Sequence, residues 1–315
     1  MIASFREGND QDASPYLELP MPLPPASRTR RYAVLSAAAA ALLALAGCTP
    51  ATSPPAGTTA TSGAAGSVMP SSHVHGLAVS GESSQVLLAT HDGLFDVTTV
   101  PARKIGETND LMGFTPGPSD GVFYASGHPG PGSDLPNPMG LIKSSDGGKT
   151  WEQLSRQGES DFHALAATKS GIVAFDGILR TSPDGKVWDT VAANFAPAVL
   201  AGHPDSNTVL ATTPEGIQRS TDGGTTWQPL ANGPVIQFAA FAHPAEAVGV
   251  EPDGTVHYSA DAGETWTKKG RIDAEVMAIA SIKGEDGRPW VWAATPDGVV
   301  VSTDGGMTFR PITAD

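Results

Sequence analysis

Ser144-Ser-Asp-Gly-Gly-Lys-Thr-Trp151 returns four times in this 315-residue chain. The variants are Ser182-Pro-Asp-Gly-Lys-Val-Trp188, Ser220-Thr-Asp-Gly-Gly-Thr-Thr-Trp227, Ser259-Ala-Asp-Ala-Gly-Glu-Thr-Trp266 and Ser302-Thr-Asp-Gly-Gly-Met-Thr-Phe309. Their aspartates, Asp146, Asp184, Asp222, Asp261 and Asp304, lie 38, 38, 39 and 43 residues apart. A period of about 40 residues with strand-like content denotes a propeller or solenoid. Outward from each box the same unit can be read: two short strands, a third strand led by glycine, the box, and a fourth strand beginning at Thr-Trp. The third strands start near Gly93, Gly140, Gly177, Gly216, Gly254 and Gly298, so there are six units; the first has no box after Leu94-Phe-Asp-Val97. Runs such as Gln85-Val-Leu-Leu-Ala-Thr90 and Trp290-Val-Trp-Ala-Ala294 are bounded by Gly, Pro and Asp turns, as strands are. No helical periodicity of useful length follows residue 70. The expectation is an all-β, six-bladed β-propeller of four-stranded antiparallel blades over residues 71–315.

The box reads as a turn. Asp bonds its own backbone, Gly accepts positive φ, and the Trp gives a small blade an apolar anchor. Five equivalent carboxylates are therefore assigned to structure and not to five active sites.

The formal net charge of −14 argues against nucleic acid and against an anionic membrane surface as partners, and is compatible with cations. Cys48 is the single cysteine, so no intramolecular disulfide forms. Arg28, Arg30 and Arg31 precede an apolar run, Tyr32 to Ala46, that ends in Leu45-Ala-Gly-Cys48. That run is short for a bilayer span. The segment resembles a bacterial lipoprotein signal over residues 1–48, which implies lipidation of Cys48 and anchoring to the outside of the cell membrane. Met1 and Met21 are both possible starts. Residues 49–70, rich in Thr, Ser, Ala, Pro and Gly, read as a tether between lipid and domain.

The boxes resemble the Asp-box (BNR) repeats of sialidases, tandem-propeller xyloglucanases, sortilin-type receptors and photosystem II assembly factors. Within that set the chain most resembles bacterial "glycosyl hydrolase-like" propeller lipoproteins, over nearly all of residues 73–315. The box marks a fold shared by unrelated activities. Sialidases would require an arginine triad, a Tyr nucleophile with a Glu partner, and an Asp acid/base. Beyond the signal this chain has seven arginines and, as tyrosines, only Tyr124 and Tyr258, which do not assemble that site. A different glycosidase needs only two carboxylates; Asp110, Asp161 and Glu275 are the residues to consider for that alternative.

Stacking the first strands of the units brings out a second pattern. They read His73-Val-His75, Asp110-Leu-Met112, Asp161-Phe-His163 and Glu275-Val-Met277 in units one, two, three and six, whereas units four and five carry apolar residues there. Residues i and i+2 share one side of a strand. One register thus holds His75, Met112, His163 and Met277, and the next holds His73, Asp110, Asp161 and Glu275, all at one mouth of the channel. The loops between second and third strands reach the same face with His91 and with the Pro/Gly-rich insertion from His128 to Met139. Imidazole with thioether suits copper, and imidazole with carboxylate suits zinc or another divalent ion. His203 and His243 belong to the opposite face, and His257 to a strand. The expectation is a binding protein with copper as its possible cofactor. Without a metal, the same mouth could take a small ligand, a glycan or a protein partner.

Overall fold

In the computed structural model, the described residues are 69–312 except 71, 82–84 and 100. The signal, Cys48 and most of the tether lie outside them. Twenty-four strands, numbered in chain order β1–β24, form six four-stranded antiparallel meanders, and no helix occurs among the described residues. Blade one is β1 (Val74–Val79), β2 (Val86–Thr90), β3 (Gly93–Asp96) and β4 (Arg103–Ile105). The other five innermost strands are β5 (Asp110–Pro116), β9 (Ala164–Thr168), β13 (Val199–Gly202), β17 (Phe238–His243) and β21 (Ala278–Lys283).

Each blade is covered on both faces, which explains the continuous apolar runs in the second strands. Leu87 and Leu88 are neighbours on β2 and both are buried. Leu87 packs toward Leu111, Phe123 and Ile142 of blade two, while Leu88 packs toward Ala278, Ala280 and Trp292 of blade six. A fully buried leucine contributes roughly 1.5–3 kcal/mol, so each interface between blades is a core in its own right.

The ring closes in the same way. β1 packs beside β21, and the last blade is completed by its own fourth strand, β24 (Arg310–Pro311), with no exchanged strand among the described residues. Met69 and Ile312 are partly buried against this closing seam.

The Asp boxes act as expected and also as fasteners. Asp146 Oδ1 accepts from the amides of Lys149 and Thr150 at 3.1 and 3.0 Å and from the Ser144 hydroxyl at 2.8 Å, while Thr150 Oγ1 donates to Oδ2 at 2.7 Å. Ser144 Oγ in turn accepts from the Gly148 amide at 2.8 Å. Boxes at Asp222, Asp261 and Asp304 repeat the Ser–Asp–Thr set. The short second box lacks the threonine, and Asp184 is left with the Lys186 and Val187 amides and Ser182. The second box glycine has φ near +83° at Gly148, where a Cβ would lie 2.2 Å from Leu94 Cδ2 in the preceding blade. Gly224, Gly263 and Gly306 meet Val173, Leu210 and Val256 in the same manner. The box aromatics Trp151, Trp188, Trp227, Trp266 and Phe309 pack in the interfaces with the preceding blades. A box therefore shapes its own hairpin and also holds the blade before it.

Candidate metal-binding mouth

At the start of β1, side chains alternate between core and channel mouth. Val74 is buried, whereas His73 is exposed and His75 half-buried. The same alternation places Leu111 and Phe162 in the core and leaves Asp110, Met112, Asp161 and His163 toward the mouth. His75 falls in a β-bulge: Val74 opposes Thr90 and Gly76 opposes Ala89, so His75 has no partner on β2. Met112 falls in an equivalent bulge between Leu111 and Gly113 of β5. A bulge adds a residue to one strand and re-aims its side chain. Gly127 of β6 (Phe123–His128) permits the second one, since a Cβ there would lie 2.0 Å from the Asp110 carbonyl oxygen.

The β2–β3 turn then folds His91 over this strand start. The His91 amide donates to the His73 carbonyl at 3.3 Å. His75 Nε2 lies 3.2 Å from His91 Nδ1, and the ring centroids of His73, His75 and His91 are 4.4–5.6 Å apart. One ring nitrogen from each of these three lies within 4.8 Å of the others. Asp110 stands behind them, with Oδ2 2.9 Å from His91 Nδ1 and Oδ1 3.6 Å from His75 Nε2.

Next to this group is a second. Asp161 Oδ2 is 2.7 Å from His163 Nε2 and 3.2 Å from His128 Nε2. His128 lies at the end of β6, directly opposite Asp110 on β5. Its Nδ1 is 2.7 Å from Asn137 Oδ1, in the long loop between β6 and β7 (Leu141–Ser144). The other carboxylate oxygens, Oδ1 of Asp110 and of Asp161, are both buried without a hydrogen-bond partner.

The electrostatics follow the geometry. Burial, then the neighbouring His91 and, more weakly, His73 and His163, lower the His75 pKa to about 4 against the pull of Asp110. His75 is thus neutral, with one ring-nitrogen lone pair available, over the physiological range. His128 goes the other way: its bond to Asn137, and the charges of Asp161 and Asp110, raise it despite burial.

The expected residues divide among three placements. His73, His75, His91, Asp110, His128, Asp161 and His163 come together from blades one, two and three. Met139 does not join them: it is 1% exposed and packs with Leu111, Phe123 and Ile142 in the core between blades one and two. The insertion ends by turning inward there, and the Met139 amide bonds the Gly127 carbonyl at 2.8 Å. In blade six, Met277 packs partly buried against the closing seam and Glu275 is exposed. Asn137 is the residue that sequence reasoning passed over; its position inside the insertion that begins with His128 was the available signal. His203 and His243 pair at the opposite side of the ring structure, 6.5 Å between ring centroids, and His257 contacts Glu251 at 3.4 Å. Between the two ends runs a cavity of about 460 Å³, lined by the innermost strands from His75 to His203.

Residues 218–229, the strand and turn around Asp222, match the family model described as BNR/Asp-box repeat. The chain is a six-bladed propeller that carries an Asp-box repeat. Solved structures with the same fold include the GH74 enzyme of Niastella koreensis, with TM-score 0.51 and 17% identity over 77% of this chain and 37% of that one. The extracellular domain of a proposed hybrid two component system from B. thetaiotaomicron aligns with TM-score 0.51 and 12% identity over 78% of this chain and 33% of that one. YCF48 from Cyanidioschyzon merolae aligns with TM-score 0.40 and 15% identity over 64% of this chain and 84% of that one. This Asp-box propeller therefore spans only about a third of the first and second of these chains. At such identities the likeness to the first two concerns the fold alone. No curated protein matches the sequence.

Proposed function

We propose that this chain is a lipid-anchored, extracytoplasmic binding protein whose propeller holds a transition-metal ion, copper first, at the mouth formed by blades one to three. The observation that carries the reading is the convergence of His73, His75 and His91, whose ring nitrogens lie within 4.8 Å of one another beside Asp110. Three imidazoles and a carboxylate form a donor set for zinc or copper. For a given nitrogen and oxygen site, Cu(II) binds more tightly than Zn(II) along the divalent series, which makes copper the first candidate. Met112, in the neighbouring bulge, supplies a thioether of the type that favours Cu(I). The hydrophobic stretch ending at Cys48 supports the anchored location.

The test is metal retention. The full chain is incubated with Cu(II), freed of excess and analysed for bound metal, with Zn(II) in an equimolar competition. Retained copper that is lost in the His75→Ala, His91→Ala double variant supports the reading. Retention near zero overturns it, and preferential retention of zinc transfers the assignment to zinc. The anchor is tested separately: Cys48→Ala moves the protein from the membrane fraction to the soluble fraction, and an unchanged distribution overturns that part.

A further inference from the structure

The donors at the mouth exceed what one ion uses. A tetrahedral ion takes four ligands, and His73, His75 and His91, with Asp110 beside the last two, would supply them. His128, His163 and Asp161 remain: both histidines turn Nε2 to the same oxygen, Asp161 Oδ2, at 3.2 and 2.7 Å, and both imidazoles are exposed enough to rotate onto a common ion. From this we propose that the mouth holds two divalent transition-metal ions side by side, the second bound by His128, Asp161 and His163. The proposal rests on the metal-binding reading above and extends it.

Three further observations support it. First, the two groups are built alike. Each has one carboxylate: Asp110 Oδ2 lies against His91, with Oδ1 3.6 Å from His75, and Asp161 Oδ2 lies against His128 and His163; the Oδ1 of each is buried without a hydrogen-bond partner. A buried acceptor without a partner is destabilising, and it occurs here twice, at Asp110 and Asp161, the same register position in adjacent blades. A cation beside each carboxylate would satisfy both.

Second, His128 is held in the tautomer a metal needs. Its Nδ1–H donates to Asn137 Oδ1, which fixes the ring with Nε2 facing Asp161, so that Nε2 is the nitrogen an ion would take in place of its proton. Metal-binding histidines are commonly oriented by such a bond on the other ring nitrogen. The β6–β7 insertion that provides Asn137 is the longest departure from the repeat, and this contact gives it a purpose.

Third, the groups abut without merging. Asp110 and His128 are cross-strand partners on β5 and β6, so the carboxylate of one set and the imidazole of the other lie one strand spacing apart, roughly 5 Å between Cα atoms. The close approach of the blades maintains this. The Phe162 amide donates to Ser126 Oγ at 2.9 Å, and a Cβ on Gly113 would lie 2.1 Å from the Phe162 carbonyl oxygen.

The experiment counts ions in the full chain after loading with Cu(II) or Zn(II) and removal of excess. About two ions per chain are expected for the unmodified protein and about one for His128→Ala with His163→Ala. Copper loading adds an electron paramagnetic resonance readout. The unmodified protein should give a spin-coupled pair with reduced signal, and the double variant a full isolated Cu(II) signal. Circular dichroism of the variant establishes that it is folded, and His163→Gln, a milder change, should also lose the second ion. One ion per chain, unaffected by these variants, overturns the second site and leaves the first reading standing. Two ions that persist in the folded double variant also overturn it. No bound metal removes both.

Discussion

His75 and Met112 occupy the same bulge in adjacent blades, each the unpaired residue at the start of an innermost strand. The correspondence means that the repeat continues into its irregularities. What changes between these two blades is the side chain, imidazole and then thioether; in blade three His163 lies just before β9, which pairs regularly, and its amide donates to the Phe175 carbonyl at 3.0 Å. A backbone kink shared by two neighbouring blades, with a different side chain in each, is a way of building one asymmetric site on a nearly symmetric ring.

The environment of His75 predicts its titration. Its pKa is lowered from 6.5 to about 4, chiefly by burial. Below pH 6.5 the unfolded chain therefore binds a proton that the folded one does not, and stability falls as the pH drops from 6.5 toward 4. The His75 ring resonance of the metal-free protein should titrate with a midpoint near 4, and His75→Gln should flatten the melting temperature over that range. A midpoint near 6.5 would contradict the buried placement.

The box carboxylates predict a second loss of stability at lower pH. Hydrogen bonds from the Thr150 amide and hydroxyl lower Asp146 from 3.8 to about 2, and Asp261 reaches about 2 because the Thr265 bonds outweigh its burial. The folded pKa values lie below the unfolded ones. This contribution is complete above about pH 4 and disappears as the pH falls through 2. Thermal melts between pH 5 and 2 should show a steady decline, reduced in slope by Asp261→Asn.

The two box glycines should differ. Gly147 has φ +79° but open space where a Cβ would project, whereas Gly148 combines φ +83° with contact on Leu94. Gly147→Ala is expected to cost about 1 kcal/mol for the backbone alone. Gly148→Ala adds steric overlap and should cost about 2–4 kcal/mol. Denaturant titration of the two variants measures the difference, and equal values would remove the fastening role of the box.

The short second box has room for improvement. Val187 is 67% exposed and occupies the position where the other boxes carry threonine. Val187→Thr should give Asp184 a hydroxyl donor and stabilise the fold by up to about 1 kcal/mol, read as a small rise in melting temperature.

Met139 separates packing from ligation. Truncation to alanine should destabilise by about 2–4 kcal/mol, as for other buried methionines. Metal retention by the folded fraction should not change, in contrast to substitutions at His75 or His91.

The blade count and strand order were legible because each box encodes its turn locally, through Asp–amide bonds and glycine φ, and the spacing between boxes counts blades. The mouth was partly legible for the same reason: alternation along Asp110-Leu-Met112 separates core from channel whatever the tertiary context. Other features were set by contacts distant in sequence. Met139 ends a Pro/Gly-rich insertion and reads as a loop residue, but it fills a hole left between Leu111 and Phe123. The link from Asn137 to His128 depends on how that insertion folds back. The bulges at His75 and Met112 leave no mark in composition; Gly127, which makes way for one of them, is visible only once its neighbour across the sheet is known.

The seam between the first and last blades holds Met69 and Ile312 on one small patch of core, and no strand crosses it. The first and last described residues are thus anchored in the same core. A short linker could join them, and new ends could be opened in any connection between blades away from the mouth. Such circular permutants would keep all six interfaces, and they would allow the mouth to be presented in a chosen orientation to a fused partner.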